Sequence, residues 1–113
     1  KKFISKLEAA DHILLSIAPV NGVDIVIKNF QNYLKSKKLK WITYLSATSV
    51  YGNHGGQWVN EISETKPTSS NGTERLKVEK EWMKLSDKFD RRKAIVAVTF
   101  LGAFFSFFAI IEL

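Results

Sequence analysis

Cysteine is absent from the 113 residues. That excludes a disulfide framework, thiolate metal sites and a cysteine nucleophile, and it fits an intracellular setting. Histidine occurs twice, as His12 and His54, far apart and with no second histidine three or four residues from either, so no metal signature is present. Glycine occurs six times. No G-x-G-x-x-G follows an apolar run and no G-x-x-x-x-G-K-[ST] occurs, so neither common phosphate cradle is encoded. The N-terminal stretch is basic, but Glu8, Asp11 and His12 interrupt it before a signal-peptide core forms.

What is present is an excess of positive charge, 17 Lys and Arg against 11 Asp and Glu, concentrated in Lys35 to Lys40 and in Arg91 to Lys93. The lysine cluster has no interleaved aromatics and no repeated arginine, so it reads as a solvated helix end and not as a nucleic-acid surface. The length suits one domain of ordinary globular composition.

Apolar patterning divides the chain. Ala10 to Pro19 contains ILLSIA followed by Pro19 and Gly22, the pattern of a buried parallel strand and its exit loop. Val23, Ile27, Phe30 and Leu34 then share one helical face. Trp41 to Leu45, WITYL, reads as a second strand, ended by the loop Ser46 to Gly56. Trp58 to Thr73 is rich in turn chemistry, including Asn71-Gly72, and Val78, Trp82, Leu85 and Phe89 mark a second amphipathic helix.

The expected fold is therefore α/β: a partial Rossmann-like βαβα unit with parallel strands over 1–89, followed by an apolar C-terminal segment over 90–113. Ala94 to Ile111 carries no charge, and the Arg91 to Lys93 cluster precedes it. It reads either as a membrane or capping helix, with the N-terminal part cytoplasmic, or as a strand AIVAVTF with a turn at Gly102 and an apolar tail.

LSATSVYG, then ETKP and SSNGTERL before a charged helix, resembles the central part of the extended and atypical short-chain dehydrogenase/reductase superfamily, the NAD-dependent epimerase/dehydratase-like proteins. The resemblance covers about Ala10 to Phe89 and implies NAD or NADP as cofactor. The family's glycine-rich turn, which would come before this span, and its substrate-binding region, which would come after it, fall outside the resemblance.

In that family a Ser or Thr, a Tyr and a Lys carry the proton transfer. The matching positions here are Ala47, Asn71 and Arg75. Asparagine does not shuttle a proton at neutral pH, and arginine remains a permanent cation. Tyr33 precedes Lys37 by the right spacing but in the wrong element, so it reads as coincidence. Carried over as cofactor-contacting positions are Ser16, Ala18, Pro19 and Arg75.

His54 reads as a turn residue and Glu61 and Glu64 as a solvated pair. The expectation is a truncated epimerase/dehydratase-like protein without independent catalysis. The alternatives are a small membrane-anchored interaction module on the βαβ scaffold, with the membrane reached through 94–111, and half of a split oxidoreductase. Expected partners are a second copy or a complementing chain.

Overall fold

The computed structural model describes residues 1–35, 38–88, 95–101 and 106–112. In chain order the elements are α1 (Lys2–Ala9), β1 (His12–Leu15), α2 (Ile25–Phe30), a 3-10 turn (Gln31–Lys35), β2 (Trp41–Tyr44), a second 3-10 turn (Thr48–Val50), α3 (Ser70–Lys88), β3 (Ile95–Leu101) and β4 (Ser106–Glu112). Strands β1 and β2 pair in parallel, from His12 beside Trp41 to Leu15 beside Tyr44. The crossover between them is α2 with its 3-10 extension, so the chain is a mixed α/β structure built on a βαβ unit.

The core lies between this strand pair and α3. Leu15, Ile42 and Tyr44 meet Leu34 and Leu39 of the crossover and Val78, Trp82 and Leu85 of α3, all buried. Val78, Trp82 and Leu85 recur at spacings of four and three, which keeps them on one helical stripe. Leu7, Ile13, Val26 and Ile27 pack partly buried around this cluster.

One polar residue is built into the core. Asp24, only 5 % exposed, caps α2: its Oδ1 accepts from the backbone of Val26 at 2.7 Å and of Ile27 at 2.9 Å. Its Oδ2 accepts from the Trp82 indole Nε1 at 2.9 Å, tying the start of α2 to the middle of α3. A buried carboxylate with three donors has its desolvation offset, which is how a charge is tolerated there.

Three details depart from the sequence expectations. Lys2–Ala9 is a helix, where the sequence reading assigns no element to the basic N-terminal stretch. Val23 lies in the turn before α2, 39 % exposed and bridged to Val20, because the Asp24 cap starts the helix at Ile25. Asn71-Gly72 lies in the first turn of α3 and not in a loop.

The apolar C-terminal segment holds an antiparallel pair, β3 with β4, in place of the helix that was one of its two readings. The β-branched Ile95, Val96, Val98 and Thr99 favour a strand, where their stiff χ1 angles cost least. Among the described residues no helix is long and apolar enough to cross a membrane. Lys37, Phe89, Arg91 to Lys93 and Gly102 lie outside the described residues.

Candidate functional site at the carboxyl end of the second strand

Beyond Tyr44 the chain stays extended through Ala47 and then tightens. Val50 N donates to the Ala47 carbonyl at 3.2 Å and Tyr51 N to the Thr48 carbonyl at 3.0 Å, so a 3-10 turn carries the buried Val50 and Tyr51. Gly52 follows at φ +68°, a left-handed conformation that suits glycine, and its α-carbon lies so close to the Lys66 backbone that any Cβ would collide with it. Lys66 N donates to the Tyr51 carbonyl at 3.2 Å, closing the loop between them.

The open cleft beside this loop has a volume of about 510 Å³. Its walls are Thr48, Ser49 and Tyr51 on one side, His54 and Gln57 on the loop, and Thr68 and Ser69 at the start of α3, with no charged side chain among its lining residues.

Helix α3 begins against this turn. Ser69 Oγ accepts from Gly72 N at 3.0 Å, and its carbonyl accepts from Thr73 N at 3.0 Å, the pattern of a serine N-cap. Gly72 abuts Ser49: a Cβ there would collide with the Ser49 carbonyl oxygen and stand 3.1 Å from Pro67 Cβ.

One turn further on, Arg75 Nη1 donates to the Leu45 carbonyl at 3.1 Å and Nε to Asn71 Oδ1 at 3.3 Å. The next turn places Glu79, 6 % exposed, near Ser46 and Arg75. Burial pushes the Glu79 carboxyl above the usual carboxylate range, and the Ser46 hydroxyl and the Arg75 and Lys80 charges pull the other way.

Burial likewise pushes the Tyr44 phenol up to about 12, with Arg75 opposing. Tyr51 is raised by burial first, then by the Glu79 and Glu61 charges. Tyr44 Oη, Ser46 Oγ, Ser49 Oγ and Glu79 Oε1 are buried without a hydrogen-bond partner. Tyr44 and Ser46, two residues apart and both buried, lie on the side of the chain that faces Glu79 and Arg75 of α3.

The sequence-predicted positions fall as follows. Ala47, half-buried, starts the 3-10 turn; Asn71 and Arg75 stand one helical turn apart, hydrogen-bonded to each other. Ser16 and Ala18 are exposed and Pro19 half-buried in the loop after β1. Leu45 N donates to the Leu15 carbonyl at 2.9 Å, so the parallel strands end together and this loop leaves at the same sheet end.

His54 Nε2 donates to the Glu64 carbonyl at 3.0 Å and its ring meets Tyr51 edge-on. Glu64 pairs with Lys66 at 2.9 Å on the surface, so it does not form an acid and base couple with Glu61. Among the described residues no group of three or more His, Asp or Glu is placed to hold a metal ion. Sequence reasoning missed Glu79 and Asp24. The Asp24 cap was legible as an aspartate directly before Ile25, whereas Glu79 gives no local signal among the charged residues of α3.

No family model matches the chain, and no curated protein matches it. Among solved structures the chain is similar to a functionally unknown conserved protein from Silicibacter pomeroyi DSS, at 34 % identity over 70 % of this chain with a TM-score of 0.65. The chain spans 29 % of the length of that protein.

Proposed function

We propose that the chain is a central segment of an NAD-dependent epimerase/dehydratase-like protein and performs no proton or hydride transfer by itself. One observation carries this reading. Asn71 and Arg75, which match the family's tyrosine and lysine, stand together at the carboxyl end of β2 with Ala47 nearby in sequence to Leu45, the residue whose carbonyl Arg75 holds. The pair has the spacing of a proton-transfer couple and the wrong chemistry: an amide without an ionisable proton and a guanidinium held by two acceptors.

NAD or NADP is the cofactor that the resemblance implies, and the residues present do not fit it. The sequence encodes no glycine-rich phosphate cradle, and two of the Arg75 donors are already engaged by Leu45 and Asn71. Ser16, Ala18 and Pro19 supply a small-residue edge at the right sheet end but no anchor. Isothermal titration of the chain with NAD and with NADP is expected to give no binding heat, and a micromolar affinity for either overturns the reading.

A second reading, half of a split oxidoreductase completed by another chain, is favoured by the outer side of β1. Parallel strands are ordinarily covered on both faces. Here Leu14 is 64 % exposed and Ile17 and Val20 just beyond it are 53 % and 54 % exposed, while among the described residues β1 pairs only with β2. Co-expression with a chain carrying a G-x-G-x-x-G half, followed by an oxidoreductase assay, tests it; no complex and no activity refute it.

A further inference from the structure

Positive charge is unevenly placed along the chain. Residues 1–40 hold eight lysines and three acidic residues, and so carry +5 of the total of +6. Of these acids, Asp24 is buried as the α2 cap, and Asp11 is bonded to His12 Nδ1 at 2.9 Å.

The fold then draws the lysines together. Helix α1 lies along the 3-10 turn Gln31–Lys35, with the Phe3 ring edge-on to Phe30 at 5.3 Å and Leu7 against the core. Lys40 N donates to the Asp11 carbonyl at 2.7 Å, which fixes the end of the lysine-rich loop beside the end of α1. Lys1, Lys2, Lys6, Lys28, Lys35 and Lys40 are all exposed on these contacting elements. Lys2 and Lys6, four residues apart, share one side of α1, and Phe3 beside them is 59 % exposed.

We infer that this lysine face, with α1 at its centre, docks on an anionic lipid surface. An amphipathic helix with a basic side and an exposed aromatic ring lies in the plane of a headgroup layer, its lysines reaching up to phosphate and carboxylate groups and its ring entering the acyl boundary. Nucleic acid fits less well. Residues 1–40 contain no arginine, so the forked guanidinium that reads phosphates and guanine edges bidentately is missing. The surface involves neither the cleft nor residues 94–111, so it stands independently of the proposed function.

The test is co-sedimentation of the full chain with phosphatidylcholine vesicles containing about 30 % phosphatidylserine, against phosphatidylcholine alone. Each lysine at such a surface contributes about fivefold to partitioning, so Lys2→Gln with Lys6→Gln is expected to weaken binding about 25-fold, and Lys2→Arg with Lys6→Arg to leave it near wild type. Raising salt from about 0.1 M to about 1 M, which shortens the Debye length from about 10 Å to about 3 Å, is expected to release the protein.

Both lysines are exposed, and circular dichroism of the variants separates lost binding from lost folding. Equal binding by the glutamine variant, equal binding to neutral vesicles, or tighter binding to a single-stranded oligonucleotide than to the anionic vesicles overturns the inference.

Discussion

Replacing Gly72 by alanine sets two effects of opposite sign against each other. Inside a helix, glycine costs up to about 1 kcal/mol relative to alanine, so on propensity alone the substitution stabilises α3. Geometry opposes it. The added Cβ would overlap the Ser49 carbonyl oxygen, stand 2.9 Å from the Ser49 carbonyl carbon and 3.1 Å from Pro67 Cβ. Two of those three atoms are backbone, held by the 3-10 turn that Val50 N and Tyr51 N close, and cannot swing away as a side-chain tip would.

Relief therefore requires α3 to lift from the turn, which loosens the Ser69 cap and the Arg75 bond to Leu45. Overpacking of this kind costs roughly 1–3 kcal/mol, more than the propensity gain returns. The expected result is a net loss of about 1–2 kcal/mol, or roughly 5–10 °C in melting temperature for a domain of this size. Urea and thermal denaturation followed by far-ultraviolet circular dichroism measure it. A Gly72→Ala protein as stable as wild type, or more so, would refute the claim that this glycine exists for close approach.

Two further predictions concern the buried polar residues. Trp82→Phe keeps most of the ring but removes the donor to Asp24 Oδ2, and leaving a buried carboxylate oxygen short of a partner is expected to cost about 1–3 kcal/mol in urea unfolding; a change under about 0.5 kcal/mol would show the bond to be dispensable. For Glu79, burial raises the folded-state pKa above the unfolded value, so the folded chain holds the proton more tightly and this residue's contribution falls as pH rises from the ordinary carboxylate range toward the raised value. Glu79→Gln is accordingly expected to flatten the decline in stability between acid and neutral pH, and denaturation midpoints across that range that parallel wild type would contradict it.

Much of the scaffold was legible because its signals are periodic. WITYL and the Val78, Trp82, Leu85 stripe announce a strand and a helix whatever surrounds them, and both are found, paired across one core. The start of α3 was hidden because its reason is tertiary: Asn71-Gly72 favours a turn locally, yet the helix needs a residue without a side chain where it crosses Ser49. Val23 was assigned to the α2 face by spacing alone, while the Asp24 cap decides the true boundary.

In the candidate site, the V-Y-G turn and the Asn71 to Arg75 spacing could be read directly. The neighbourhood of Tyr44, Ser46 and Glu79 could not, since it depends on which faces of β2 and α3 meet.

The bond between Asp24 and Trp82 joins residues 58 apart in the chain. The length-dependent part of closing such a loop is roughly 3.6 kcal/mol in chain entropy, and almost everything that forms the cleft lies inside it. During folding, the parallel strands gain little until α3 returns to cover them, so the long-range closure and the assembly of the cleft belong to one late, cooperative event. The Arg75 bond to Leu45 and the Val78, Trp82 and Leu85 stripe hold α3 down alongside the Asp24 bond, so the helix leaves the sheet as a unit, which makes proteolysis within residues 57–69 a direct gauge of how often it does.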